Sequence, residues 1–168
     1  YASLFSQPLY GFVSVPFDFP KNYDVSGQFQ RIILPKFKSL SSSDMKTRFD
    51  PSVIPALNLT VNSLQYDHLN LGKVTLQSTP IDHGIRIHKL VTASPLLGVD
   101  ITGFWQHAKD QDHSRIIGSL QSSQFTPLLN ALHFQSSLLA KTALVNVDLS
   151  WPDTLYKPDI KQLKGWAD

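Results

Sequence analysis

Strict alternation of apolar and polar positions dominates the chain. Leu9, Gly11, Val13, Val15, Phe17 and Phe19 alternate with Tyr10, Phe12, Ser14, Pro16 and Asp18. Successive side chains of a strand point to opposite faces, so this period of two predicts a β-strand over 9–19. Pro16 and Pro20 donate no ladder hydrogen bond, which places that strand at a sheet edge. A shorter strand is expected over 28–34, stopped by Pro35. Residues 39–56 break the pattern. Ser41 to Ser43 and Asp44 are suited to capping a short helix that Pro51 and Pro55 then end.

Beyond this connector the chain reads as a run of hairpins. Leu57, Leu59 and Val61 share one phase, with Asn58, Thr60 and Asn62 on the other. Leu64 and Tyr66 resume after a phase slip at Ser63, the signature of a β-bulge. Turns are expected over 67–72 and 80–84, flanking a strand with Val74 and Leu76 and introducing another with Ile85 and Ile87. Leu97, Val99, Ile101, Gly103 and Trp105 predict the next strand, then a polar loop over 106–114 and a returning strand over 115–122. A helix is expected over 124–133, with Ser122 or Ser123 as cap and Leu128, Leu129 and Leu132 as its apolar stripe. The clearest strand follows, with Ala143, Val145, Val147, Leu149 and Trp151 in one phase, and a last strand is expected over 159–165. The fold class is therefore mainly β, a curved antiparallel sheet of about seven to nine strands with one or two short helices. The chain reads as one module, with leading strands over 1–38, a helical connector over 39–56 and hairpins over 57–168.

Composition sharpens this picture. All 13 acids are Asp and none is Glu, while Pro numbers 11 and Gly 8. Asp favours turns and caps whereas Glu favours helices, so the bias fits short turns between strands. Net charge is +2, with basic residues scattered, which argues against a nucleic-acid partner. The absence of Cys removes disulfides, zinc-thiolate sites and thiol nucleophiles. No apolar stretch reaches the length of a membrane span. The chain opens at Tyr1 and its one Met is Met45, so it reads as an internal piece of a longer polypeptide, with no signal peptide in view.

Candidate chemistry is thin. His68, His83 and His113 each follow an Asp at a predicted turn, where Asp is favoured for its own backbone hydrogen bonds. His107, Asp110, Asp112 and His113 are close enough in sequence to be tested as metal ligands, but their spacing follows no ligand rule, and no metal or cofactor is expected. No nucleophile elbow or phosphate-binding loop is present, and Ser, His and Asp occur in no triad context. No catalytic residue is assigned, and the chain is not expected to be an enzyme. Asn58-Leu59-Thr60 fits a glycosylation pattern that strand alternation explains equally well. Trp105 and Trp151 each end a strand on its apolar phase, as core packing or as the rim of an apolar groove.

Several stretches in order resemble a known family. Asp50-Pro51-Ser52-Val53-Ile54-Pro55-Ala56-Leu57-Asn58-Leu59 is similar to a "DP…lPaLdl" opening, and Leu71-Gly72-Lys73-Val74 to an "lG.l.l" strand. Ile101-Thr102-Gly103-Phe104-Trp105 is similar to an "a.G.W" strand, followed by Ser114 to Leu120, the helix near Phe125 and the strand Val147-Asp148-Leu149-Ser150-Trp151-Pro152. Upstream, Gly11 to Pro16 and Arg31 to Pro35 fit "G.v.lP" and "rl.lP" strands. Together they resemble the AsmA-like envelope proteins, most closely the carboxy-terminal region of the YhdP group. Two departures are the absence of Glu and His133-Phe134 in place of a Gly-rich turn.

The resemblance implies a periplasmic segment of an inner-membrane-anchored protein of a Gram-negative bacterium. It implies a bridge-type carrier whose apolar β groove shelters phospholipid or another acyl lipid between the two membranes. The remaining segments of the parent protein and envelope proteins are the further partners it implies. The expected groove lining is the alternating apolar set: Leu57, Leu59, Val61, Val74, Leu76, Ile85, Ile87, Val99, Ile101, Val145, Val147 and Leu149. The competing expectations are an envelope interaction module, docking a partner by strand addition at the 9–19 edge, and an envelope hydrolase acting on lipid or glycan.

Overall fold

In the computed structural model the chain forms one open sheet of ten strands. The structure describes residues 2–6, 9–17, 24–34, 50–67, 69–94, 96–108, 111–131, 140–155, 158 and 160–168. The strands are β1 (Ala2–Ser6), β2 (Leu9–Ser14), β3 (Asp24–Leu34), β4 (Ala56–Tyr66), β5 (Leu69–Ile81), β6 (Gly84–Ala93), β7 (Gly98–Ala108), β8 (Gln111–Ser122), β9 (Ala143–Trp151) and β10 (Lys164–Ala167). Their order across the sheet is their order along the chain. Among the described residues one α-helix, α1 (Phe125–Ala131), lies between β8 and β9. No helix among the described residues is long and apolar enough to cross a membrane.

All neighbours pair antiparallel except β3 and β4, which run parallel. That pair departs from the all-antiparallel expectation. A parallel pair needs a long crossover rather than a tight turn, and the stretch between residue 34 and residue 56 supplies one. The helix expected near residue 44 falls outside the described residues. What is described of the connector is a 3₁₀ turn, Pro51–Val53, with Ser52 N donating to Asp50 Oδ1 at 2.8 Å. These hydrogen bonds hold the Asp50 carboxyl below its ordinary pKa.

Several boundaries differ from the sequence reading. The strand expected at the edge is second from it, because β1 pairs outside β2 from Ala2↔Val13 to Ser6↔Leu9. β2 also stops at Ser14, ahead of Pro16, which cannot donate to a ladder. The turns expected over 67–72 and 80–84 are tighter, since β5 begins at Leu69 and runs to Ile81. Asp67 and His83 take positive φ, 53° and 54°, so the chain reverses within very few residues. The supposed polar loop over 106–114 is mostly ladder: β7 and β8 stay paired to His107↔Asp112 and Ala108↔Gln111. The last strand begins later than expected, at Lys164, after a 3₁₀ turn at Ile160–Gln162.

The bulge expected at Ser63 is present: the β4–β5 register shifts between Val61↔Val74 and Leu64↔Gly72. Gly72 adopts φ 66° there, a conformation that glycine reaches without strain. Further shifts occur in β2–β3, β5–β6 and β6–β7, whereas β8–β9 is unbroken. Bulges bend and twist the strands that carry them, so deformation concentrates in the first seven strands. The core there is Phe29, Val61 and Val74, with Leu9, Val13, Ile32, Leu59, Leu64, Leu71 and Leu90 packed around them.

Candidate functional site

Paired residues on neighbouring strands share a face, so the register assigns every side chain to a side. One rung reads Val13, Gly27, Leu59, Leu76, Leu90, Ile101, Gly118, Val147 and Ala167 from β2 to β10. The rung on one side reads Val25, Leu57, Ser78, Ile87, Gly103, Ile116, Leu149 and Gly165. The rung on the other reads Gly11, Phe29, Val61, Val74, Thr92, Val99, Leu120 and Val145. Ile85 joins the same side in the row Ile85, Trp105, Ser114 and Trp151. All of the sequence-predicted apolar residues therefore lie on one face, in rows that run across the strands.

The opposite face is mostly polar. Its central rung reads Gln28, Thr60, Thr75, Val91, Asp100, Ser119 and Asn146. Here Arg115 grips Asp148 side-on, Nε donating to Oδ1 at 2.8 Å and Nη2 to Oδ2 at 2.7 Å. These bonds lower the Asp148 pKa and raise that of Arg115.

Coverage of the apolar face is uneven. Val61, Val74, Ile85, Ile87 and Val147 are buried. Leu57, Leu59, Leu76, Val99, Ile101, Val145 and Leu149 are only half-buried. At one end of the strands the 3₁₀ turn Pro51–Val53 packs against β5, β6 and β7. Trp105 and Trp151 are each 4% exposed in that region, so they pack the closed end of the face and do not form an open rim. Trp151 Nε1 donates to Thr154 O at 2.8 Å, which satisfies the buried indole.

The polar groups near that end form a compact network. His107 and Asp112, opposite each other in the ladder, meet at 2.8 Å from Nδ1 to Oδ1, and Asp112 is 1% exposed. Sequence proximity had grouped them as loop residues, but strand pairing is what joins them. Ser114 follows on the same face, fully buried, its hydroxyl donating to Asp153 O at 2.8 Å. Ser, His and Asp thus gather in one region, yet a nucleophile has to be reached by its substrate, and Ser114 is sealed. His113 points to the other face, where its ring lies 5.6 Å from that of Phe104. The exposed His83 ring meets its neighbour Asp82 at 3.5 Å. Among the described residues no group of three or more His, Cys, Asp or Glu is placed to hold a metal ion. His68, Asp110 and His133 lie outside them.

The arrangement supplies a broad apolar surface. Sequence reasoning found its members because alternation is visible in a single strand. It missed the Arg115–Asp148 pair, whose partners are 33 residues apart and meet only through the β8–β9 register.

Comparison with known proteins gives one match: the family model described as YhdP protein covers residues 1–168. No curated protein and no solved structure matches the chain.

Proposed function

The chain belongs to the YhdP family, and on that premise we propose that it is a segment of a periplasmic, inner-membrane-anchored carrier that shelters phospholipid acyl chains in transit between the inner and outer membranes. The observation that carries the reading is a row from Val13 to Ala167 on one face of an open sheet that contains no polar side chain, seven apolar residues and two glycines, Gly27 and Gly118. A lipid with two acyl chains holds about 30 methylenes, and exposing each to water costs about 0.8 kcal/mol. Crossing an aqueous gap therefore calls for an unbroken apolar path. Strands lie roughly 4.8 Å apart, so a row crossing nine strands is about 38 Å long. That length accommodates acyl chains laid across the strands.

The half-buried residues Leu57, Val99 and Val145 are the contacts such a chain would make. A carrier binds and releases without breaking bonds, so this reading needs no nucleophile, metal or cofactor. Nor does it use nucleic acid.

A photo-crosslinking amino acid tests the proposal in the parent protein. Placed at Leu57, Val99 or Val145 it should capture lipid. Placed at the adjacent outward positions Asn58, Asp100 or Asn146 it should not. Equal capture at both sets, or none at the first, contradicts the carrier reading.

A second reading is an envelope interaction module. It is favoured by the exposed aromatics Tyr10, 51%, and Phe12, 39%, on the polar face of β2. Crosslinks from Phe12 to a protein, with no lipid captured at Val99, would select it.

A further inference from the structure

The polar face holds a feature that acyl sheltering does not use. Arg86 on β6, Phe104 on β7 and Arg115 on β8 occupy one rung, which continues through Ser150 to Lys164. β6 and β8 flank β7, so the two arginine backbones are about 10 Å apart, with the Phe104 ring position between them. A cavity of about 310 Å3 opens there, lined by Arg86, His88, Thr102, Phe104, Arg115 and Ile117 among others, and no carboxylate lines it. Arg115 spends Nε and Nη2 on Asp148, which fixes its guanidinium and leaves Nη1 over. Arg86 is exposed and has no ion-pair partner among the described residues. His88 is oriented by Thr79, Oγ1 to Nε2 at 2.7 Å.

We propose that this cavity binds a phosphate-bearing anion of the size of a phosphoglycerol group, held between Arg86 and Arg115 above Phe104. Arg86 offers forked donors to a tetrahedral oxyanion from one side, and Arg115 Nη1, held in place by the Asp148 pair, adds a donor from the other. The Phe104 position gives the carbon portion of the ligand an apolar floor, and the Thr102 hydroxyl adds a polar edge. Lys164, on the same rung, extends the positive field towards β10. The site lies on the face opposite the apolar rows, so it stands or falls separately from acyl binding.

The test titrates glycerol 3-phosphate and inorganic phosphate into the 15N-labelled chain, with sodium chloride as the control anion. The amides of Arg86, Thr102, Phe104 and Ile117 should shift together and saturate with both phosphates but not with chloride. Arg86→Gln should weaken the affinity about tenfold or more while the rest of the spectrum is unchanged. If that variant unfolds, Arg86→Lys replaces it, keeping the charge and losing the fork. Sedimentation with phosphatidylcholine vesicles, with and without phosphatidylglycerol, distinguishes the source. Arg86-dependent binding to the phosphatidylglycerol vesicles identifies a lipid headgroup, and phosphate binding without vesicle binding identifies a free phosphate ester. Shifts scattered over the lysines, an equal response to chloride, or unchanged affinity in both Arg86 variants overturn the proposal.

Discussion

The Phe29 ring fills the space that Gly11 leaves open across the β2–β3 ladder: a methyl group on Gly11 would lie 2.6 Å from Phe29 Cδ1 and 2.5 Å from Gln28 O. Phe29 also reaches Gly27 on its own strand, where an added methyl would meet Cε2 at 2.9 Å. Phe29 therefore anchors the start of the apolar face by covering two glycines. Gly11→Ala should destabilise the fold by about 1–3 kcal/mol through overpacking, and Phe29→Ala by about 3–5 kcal/mol through a cavity. Urea midpoints measure both, and a neutral Gly11→Ala would contradict the packing.

Burial decides which apolar position probes lipid binding cleanly. Val147 is 3% exposed, so Val147→Asp buries an unpaired charge and should unfold the sheet. Val99 is half-buried, so Val99→Asp should leave the fold intact and remove bound lipid from the parent protein. Native mass spectrometry after gentle extraction reads the lipid, and Asn58→Asp at an exposed position on the other face is the control. Lipid retained in a folded Val99→Asp protein argues against the apolar face as the contact.

The Arg115–Asp148 pair makes stability depend on acidity in a defined direction. Arg115 depresses the folded pKa of Asp148, so the pair contributes above the ordinary carboxylate value of 3.8 and its contribution fades as pH falls below it. Asp148→Asn should lower the urea midpoint at pH 7, and the gap from the native chain should close towards pH 2–3. A gap that persists unchanged in acid would assign the loss to something other than charge.

Ser114 and Trp151 secure the segment after β9 through Asp153 O and Thr154 O. Ser114→Ala should cost about 1 kcal/mol, as a buried hydrogen bond lost with its acceptor left behind. Amide exchange at residues 153–155 should quicken in that variant while β4 and β5 stay protected. Uniform quickening across the sheet would show that Ser114 supports the whole fold instead.

Alternation made most of the sheet legible. Ala143 to Trp151 emerged as a strand with its bounds intact, and the phase slip at Ser63 marked a real register shift. β1 escaped notice because Ala2–Ser6 is five residues long with little periodicity. His107, Asp112 and Ser114 were read as loop because polar residues on the apolar face interrupt the pattern from which strands are recognised. They pair with each other and with backbone carbonyls, a compensation that appears only once β7, β8 and the segment after β9 are assembled. The rung containing Arg86 and Arg115 was illegible for the same reason, since lateral neighbours are set by pairing and not by sequence distance.

The one parallel junction also bears on how the chain acquires its shape. β1 to β3 and β4 to β8 are two meanders built from hairpins between sequence neighbours, which close within microseconds, whereas β9 joins β8 across the stretch that carries α1. Joining β3 to β4 instead requires ordering the longest excursion between adjacent strands, which carries the larger loop-closure entropy. Assembly thus has a natural sequence of events, with two ribbons formed early and the two long closures, β3 to β4 and β8 to β9, setting the pace.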